Sequence, residues 1–342
     1  MQMLSNVGKP HRTEGRATRS ERELSMNNNI NLRKIAVIGC GFVGSASAFA
    51  LMQSKLFSEI VLIDADSAKA EGEAMDISHG IPFVGNMKIY AGTYDDIVDA
   101  SIIVITAGAG QKPGETRLDL VHKNLNIFKS IIPEIAKRQC RGILLVVANP
   151  VDILTYAAIK LSGFPENRVI GSGTVLDTAR LKYQLGEHLS VDSKSVHAFI
   201  IGEHGDSEIA AWSSANVSGI ALDDFCEMRG HFNHDQSQEN IAEKVKNSAY
   251  EIIEKKRATY YGVAMAVKRI CEVIIRDEKS ILPISSMMHG DFGVDNVVLS
   301  MPAVVGADGL EELVPISLNE KELSDLKKSA DTLRGILDEC GI

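Results

Sequence analysis

One histidine stands in surroundings that suit proton transfer. His204 lies in the segment GEHGDS, between Gly202 and Gly205 and directly after an apolar run. Most of the nine histidines are expected to be ordinary surface or core groups. The two glycines, however, open space around the His204 ring, as a ring that meets a substrate requires. Because histidine titrates near neutral pH, the segment is suited to a residue that gives and takes a proton.

Three other polar residues are placed where they could meet the same ligand. Asp177 and Arg180 are three residues apart on a predicted helix, residues 175–189, and therefore share one face. A surface salt bridge would explain this pair equally well. Asn149 ends an apolar strand, so its amide is expected at the carboxyl edge of a sheet, where open α/β sheets bind ligands.

The loop AGAGQKPGET, residues 107–116, follows another predicted strand at the same edge. Its glycines make it mobile and Pro113 stiffens its middle, which is typical of a lid. Gln111 and Arg117 would move inward when the lid closes. An ordinary solvated loop is the alternative interpretation.

The stretch from Lys34 to Asp66 predicts the element that positions these residues. Gly39, Gly41 and Gly44 form a G-x-G-x-x-G pattern after an apolar strand and at the start of a helix. Such glycines permit a tight turn, the approach of a pyrophosphate to bare backbone, and close packing of helix on sheet. Asp64 follows Gly44 by twenty residues, at the end of the second strand. Its carboxylate would accept hydrogen bonds from ribose hydroxyls and repel a 2′-phosphate, which favours NAD over NADP.

Strands alternate with helices up to about residue 171, which predicts an α/β Rossmann-type doubly wound parallel sheet. The order then becomes mixed, with a long helical region from Asn240 to Arg276, bent near Arg257, and strands within residues 281–313. We therefore expect a Rossmann domain over residues 32–172 and an α+β substrate domain over residues 173–342. Residues 1–31 are polar and lack apolar periodicity, so a disordered extension is expected there.

Composition narrows the class of protein. The 342 residues are 45% hydrophobic, enough for a large core, and the net charge of −9 argues against a nucleic-acid surface. No stretch approaches the roughly 18 uninterrupted apolar residues of a membrane span. Five scattered cysteines without a C-x-x-C pair favour reduced thiols in the cytoplasm. His231 and His234 have loose metal-like spacing, but a polar loop without a firm scaffold favours no metal site.

Seven motifs, in order along the chain from Lys34 to the last helix, resemble the L-lactate dehydrogenases of the lactate and malate dehydrogenase family, bacterial members in particular. They are GCGFVG, LIDAD, AGAGQKPGETRLDL, ANPVD, GSGTVLDTAR, IGEHGDS and KKRATYYG. The resemblance implies an NAD-dependent enzyme of fermentative glycolysis that exchanges hydride between NADH and pyruvate to give L-lactate.

The resemblance also implies roles for individual residues. His204 would give and take the proton, Asp177 would be its carboxylate partner, and Arg180 would grip the substrate carboxylate. Arg117 would polarise the substrate carbonyl and Asn149 would bind near the reacting oxygen. Gln111 and Thr259 would line the end of the pocket that receives the substrate side chain. The implied cofactor contacts are Gly39, Gly41, Phe42, Val43, Gly44, Asp64, Ala107, Gly108 and Asn149.

Two alternatives remain at this point. Malate dehydrogenase shares this chemistry, but oxaloacetate has a second carboxylate that needs a cation, whereas Gln111 is neutral. A catalytically silent NAD-binding protein would have little reason to keep His204, Asp177, Arg117 and Arg180 together.

Regulation is where the sequence departs from the family pattern. Many bacterial members are tetramers that bind fructose 1,6-bisphosphate through an arginine and a histidine. The corresponding residues here are Lys182 and His197. Lysine keeps the positive charge but loses the bidentate fork that suits phosphate. We therefore expect a homotetramer with weakened activation, or with none.

Overall fold

The computed structural model describes residues 30–110 and 114–342, without the side chain of Arg117. In its first half, strands alternate with helices. All neighbouring strands there are parallel, in the order β3-β2-β1-β4-β5-β6, which confirms the predicted doubly wound sheet. The strands are β1 (Asn31–Ile38), β2 (Glu59–Ile63), β3 (Lys88–Ala91), β4 (Ala100–Ile105), β5 (Ile143–Val146) and β6 (Val169–Gly171). The helices are α1 (Phe42–Ser54), α2 (Ser67–Ser78), α3 (Ile81–Val84), α4 (Arg117–Lys137) and α5 (Val151–Ser162).

The central strands are apolar throughout because both faces of the sheet are covered. In β1, Ile35 and Val37 pack into one core layer, while Ala36 and Ile38 pack into the layer on the other face. Side chains alternate across a strand, so a sheet between two layers of helices needs continuous apolar runs instead of an alternating pattern. The buried run in β4 has the same arrangement.

The second half extends the same sheet. Strands β12, β13 and β14 are antiparallel and join it through a pairing of Ser285 with Gly171, at the edge formed by β6. They span β12 (Ser280–His289), β13 (Asp295–Gly306) and β14 (Gly309–Leu313). Five short strands make two small sheets: β7 (Val196–His197), β8 (Ile200–Ile201), β9 (Ile209–Ala210), β10 (Asn216–Val217) and β11 (Ile220–Ala221). The helices are α6 (Val175–Leu189), α7 (Leu222–Met228), α8 (His234–Lys256), α9 (Tyr261–Ile275) and α10 (Glu320–Cys340).

The long helical region differs from the prediction. It begins at His234, not Asn240, and it is divided into α8 and α9. The division falls at Arg257, which caps α8 in a left-handed conformation with a φ of 71°. A helix cannot continue through such a residue, so the predicted bend is a break. Among the described residues, no helix combines the length and apolarity that a membrane crossing requires.

Candidate active site

The turn between β1 and α1 is built around its glycines. Gly39 has a φ of 102°, and a Cβ there would lie 2.5 Å from the backbone nitrogen of Ala107. A Cβ on Gly44 would lie 1.8 Å from the carbonyl oxygen of Gly39. Neither position can hold a larger residue without moving backbone. At Gly41, by contrast, a Cβ would meet nothing within 4 Å, so bare backbone faces open space at the amino end of α1. Such an end attracts anions.

Asp64 is fixed against this turn. One carboxylate oxygen accepts a hydrogen bond of 2.6 Å from the backbone nitrogen of Cys40, and the other accepts one of 3.0 Å from that of Asp66. The side chain remains 17% exposed, and Lys69 Nζ lies 4.0 Å from it. The acid therefore stands at the end of β2, beside the glycine turn, with part of its surface open to a ligand.

Asn124, a buried residue of α4, holds together two loops at the carboxyl edge of the sheet. Its amide oxygen accepts from the backbone nitrogen of Ala109 at 2.7 Å, and its amide nitrogen donates to the carbonyl oxygen of Asn149 at 2.7 Å. The loop with Ala107 and Gly108 is thereby tied to the loop that carries Asn149. Nothing in the sequence near Asn124 indicates this role, because its partners lie 15 and 25 positions away along the chain.

The predicted lid is described only in part. Gln111 lies outside the described residues, as does the side chain of Arg117. The start of α4 is well defined, since Thr116 and Asp119 cap it reciprocally. Thr116 Oγ1 accepts from Asp119 N at 3.1 Å, and Asp119 Oδ2 accepts from Thr116 N at 3.0 Å. This capping box fixes Arg117 as the first residue of the helix after the lid.

His204, Asp177 and Arg180 form one connected group. His204 Nδ1 lies 2.5 Å from Asp177 Oδ2, and Arg180 donates to Asp177 Oδ1 at 2.8 Å. The Asp177 side chain is only 3% exposed, while that of His204 is 23% exposed. The carboxylate therefore has a positive group on each oxygen, and the histidine ring still reaches open space.

Asp152 of α5 holds the backbone of His204 in place. The sequence alone did not predict this role. Asp152 is buried in α5, and its carboxylate accepts from the backbone nitrogen of His204 at 2.8 Å and from Ser285 Oγ at 2.6 Å. Burial raises the pKa of Asp152 to about 6, against the lowering effect of these hydrogen bonds and of the His204 charge. Asp152 therefore ties the backbone of the GEHGDS segment to α5 and to Ser285 of β12.

The electrostatics of the pair favour a charged histidine. Burial alone would lower the pKa of His204, but the charge of Asp177 and its hydrogen bond raise that pKa to about 9, with smaller contributions from Asp152 and Glu208. Burial alone would raise the pKa of Asp177, but His204 and then Arg180 hold the pKa of that carboxyl below its usual value. The pair is therefore an imidazolium beside a carboxylate at neutral pH.

A small cavity of about 90 Å³ lies between the first turn of α1, which follows the glycine turn, and His204. Val43, in the first turn of α1, lines it on one side, and His204 and Asn149 line it on another. Thr259, in the linker between α8 and α9, also faces it. A much larger groove of about 1040 Å³ lies elsewhere, with Glu243 of α8 and Lys328 of α10 among the charged residues that line it. We identify the smaller cavity as the candidate active site, because His204, the partner of Asp177, lines it together with the first turn of α1.

The other predicted residues lie away from this cavity. Lys182 is half-buried on α6, and burial lowers its pKa. His197 is exposed in β7. Within residues 30–110 and 114–342, neither side chain makes a hydrogen bond or an ion pair. The rings of His188 and His231 lie with their centroids 4.2 Å apart, and His234 begins α8 beside Asp223, at 3.6 Å.

The turn, the acid and the cavity fit NAD. Open backbone at Gly41 suits a pyrophosphate, Asp64 suits ribose hydroxyls, and the cavity connects the first turn of α1 to a proton donor. Together with the doubly wound sheet, this combination defines a nicotinamide-nucleotide dehydrogenase.

Comparison with known proteins gives the family. Residues 33–171 match the model of the lactate/malate dehydrogenase NAD binding domain, and residues 174–341 match that of the lactate/malate dehydrogenase alpha/beta C-terminal domain. The chain belongs to the lactate/malate dehydrogenase family, and its cofactor is NAD.

Individual relatives agree with this assignment. An L-lactate dehydrogenase of Acetivibrio thermocellus is 55% identical over 312 residues, which are 91% of this chain and 98% of the relative. L-lactate dehydrogenase 1 of Clostridium acetobutylicum is 53% identical over 305 residues, 89% of this chain and 97% of the relative. The crystal structure of a minor L-lactate dehydrogenase from Enterococcus mundtii, in a ligands-bound form, matches with a TM-score of 0.87 at 41% identity, covering 90% of this chain and 98% of that one.

Proposed function

We propose that the protein is an NAD-dependent L-lactate dehydrogenase, which interconverts pyruvate and L-lactate. One observation carries the proposal: His204, whose Nδ1 lies 2.5 Å from the buried carboxylate of Asp177, lines a cavity that is also lined by Val43 in the first turn of α1. Reduction of a 2-oxo acid needs a proton for the oxygen and a site beside the nicotinamide nucleotide, and this cavity can provide both.

The proton is assigned to a particular atom. Because Nδ1 of His204 is engaged by Asp177, Nε2 is the ring nitrogen left to meet the substrate oxygen. The charged ring donates this proton to pyruvate as the 2-oxo group becomes a hydroxyl. In the reverse direction the neutral ring accepts it from lactate. Asp177 fixes the tautomer and stabilises the imidazolium between turnovers.

Binding and polarisation are assigned to the arginines. Arg180, which donates one hydrogen bond to Asp177, has further N–H groups that can hold the substrate carboxylate in a bidentate pair. Arg117 follows the lid and would face the negative charge that grows on the substrate oxygen. Asn149 would donate to that oxygen from the opposite loop, which Asn124 holds in place.

When bound, NADH would supply the hydride for the 2-oxo carbon, and NAD⁺ would accept it in lactate oxidation. The residues that would hold the cofactor are those of the turn and its neighbours: Gly39, Gly41, Phe42, Val43, Gly44, Asp64, Ala107, Gly108 and Asn149.

Gln111 and Thr259 would define the substrate side chain. Thr259 lines the cavity, and both side chains are neutral, which suits the methyl group of pyruvate better than the second carboxylate of oxaloacetate. Malate dehydrogenase activity is therefore the lesser candidate.

NADH consumption tests the whole assignment. The enzyme should oxidise NADH with pyruvate and do so far less efficiently with oxaloacetate. The pyruvate KM should rise as pH exceeds the pKa of His204, and lactate should show the opposite preference. His204→Asn should abolish both directions. A pyruvate KM that stays flat from about pH 8 to about pH 10.5, with an active His204→Asn variant, would contradict the assignment.

A homotetramer with weakened regulation completes the proposal. Large apolar side chains are exposed on α1 and α9, which pack on each other: Phe49 is 49% exposed and Met265 is 56% exposed. Such a surface supports association with other copies. Lys182 and His197 would face fructose 1,6-bisphosphate between subunits, with lower affinity than an arginine would give.

Free thiols at all five cysteines support a cytoplasmic location.

A further inference from the structure

A second carboxyl group stands close to the catalytic pair. Glu208 follows His204 by four residues, just before β9. One carboxylate oxygen of Glu208, one of Asp177 and a ring nitrogen of His204 all lie within 4.8 Å of one another. Glu208 also lines the large groove between α8 and α10, so it stands between the histidine and that groove.

Charged groups from three elements act on Glu208. Asp177 and Arg180 approach from α6, His204 belongs to its own segment, and Lys246 approaches from α8. Lys246 Nζ also donates a hydrogen bond to the carbonyl oxygen of Asp206. Burial, and then the charge of Asp177, raise the pKa of Glu208 to about 8, while the three cations oppose this rise. Glu208 is therefore mostly neutral at pH 7 and becomes charged in the alkaline range.

Two carboxylates and an imidazole could together hold a divalent cation, but the contacts of Asp177 argue against a metal ion at this place. One of its oxygens is 2.5 Å from His204 and the other is 2.8 Å from the guanidinium of Arg180. A cation would have to displace one of these positive partners and lie close to the other. The cluster is better suited to holding protons than a metal.

We propose that Glu208 is a positioning residue that strengthens the hold of His204 on its proton at alkaline pH, and so extends pyruvate reduction beyond the range that Asp177 alone would allow. The inference rests on the proposed lactate dehydrogenase activity. As pH rises into the alkaline range, Glu208 loses its proton, and its negative charge then stabilises the imidazolium. The two groups titrate as a coupled pair.

The sign of the effect follows from the charges. A carboxylate within about 4–6 Å of a histidine favours its charged form and so raises its pKa, and Glu208 provides one only above its own pKa. Without it, His204 should lose its proton at lower pH. Pyruvate reduction, which needs the imidazolium, should then fail earlier. Lactate oxidation, which needs the neutral ring, should begin earlier.

The test compares pH profiles of kcat/KM in both directions for the wild-type protein, Glu208→Gln and Glu243→Gln. Glutamine keeps the shape of the glutamate side chain without its charge. Glu243 is exposed on α8 and lines the same groove, so its variant controls for the loss of one negative charge. We expect the alkaline limb for pyruvate and the acidic limb for lactate to move together, by about one pH unit, towards acid in Glu208→Gln. Glu243→Gln should follow the wild type.

A structural role would give a different result. If Glu208 only shapes the loop, the ratio of variant to wild-type kcat/KM stays constant with pH, however low it is, and the proposal is overturned. Glu208→Ser serves as a second neutral variant where glutamine impairs folding, and NMR titration of the His204 ring in the folded protein measures the shift directly. An unshifted ring in both variants also overturns it. Failure of the wild-type protein to reduce pyruvate would instead refute the proposed function.

Discussion

Asp177→Asn should reduce activity by an amount that depends on pH. The substitution replaces the carboxylate that lies 2.5 Å from His204 Nδ1 with a neutral amide of nearly the same shape. The present surroundings raise the pKa of His204 from 6.5 to about 9, which corresponds to a preference for the imidazolium on the order of 3 kcal/mol. Asp177 is the largest favourable contributor, and the burial that opposes it remains in the variant. The pKa of His204 should then fall to 6.5 or below.

The expected loss follows from the fraction of charged rings. At about pH 6 both proteins would be largely protonated, so the charge accounts for little loss. At about pH 7.5 the wild-type ring is almost fully charged, whereas about one-tenth of the variant rings are, a roughly tenfold difference. At about pH 8.5 the difference approaches roughly 10²-fold. A changed ring tautomer would add a loss that does not vary with pH.

The assay is kcat/KM for pyruvate across this range, with Asp206→Asn as a control. Asp206 is exposed on the same segment and binds Lys246 and Tyr250 rather than the histidine. Its variant should keep the wild-type profile. A ratio of Asp177→Asn to wild type that is the same at every pH would refute the electrostatic reasoning and leave only a steric role for the carboxylate.

Substitutions at three other places give separate tests. Gly41→Ala should weaken NAD binding but leave thermal stability nearly unchanged, since a Cβ there meets nothing within 4 Å. Gly44→Ala should lower the melting temperature, since its Cβ would lie 1.8 Å from a carbonyl oxygen. Equal melting temperatures for the two variants would contradict this reasoning. Gln111→Arg should shift the ratio of kcat/KM from pyruvate towards oxaloacetate, by roughly 10²-fold for each substrate, and an unchanged ratio would remove Gln111 from the pocket. Activation by fructose 1,6-bisphosphate at limiting pyruvate should strengthen in Lys182→Arg and vanish in Lys182→Ala; no response in any of the three proteins would rule out the site.

The first half of the chain was predictable because its determinants are local. The structure of the turn at Gly39 and of the apolar runs in β1 and β4 is determined within a few residues, and the predicted alternation of strands and helices is the one observed. The second half depends on long-range pairing. Nothing near Ser285 indicates that it will pair with Gly171, 114 residues away, and so extend the parallel sheet with antiparallel strands.

Helix α8 shows why periodicity fails in part of the second half. Over its 23 residues, Ile241 and Val245 are the only buried residues. A helix with so narrow an apolar stripe shows little apolar periodicity in its sequence. For this reason the sequence around His234, the first residue of the helix, predicts a loop. The start of the helix had to come from the structure.

The candidate site divides in the same way. Residue type and flanking glycines were enough to select His204, and helical spacing put Asp177 and Arg180 on one face. The residues that hold them were not predictable, because their contacts join distant parts of the chain: Asp152 supports His204 across 52 positions, and Asn124 reaches Asn149 across 25. Spacing therefore identifies the candidate groups for the chemistry, whereas the buried groups that set their position and charge emerge only when β5, α4 and α5 are packed together. Glu208 belongs to this second kind. It is close to His204 in sequence, but its influence depends on the proximity of both residues to Asp177, which only the folded chain creates.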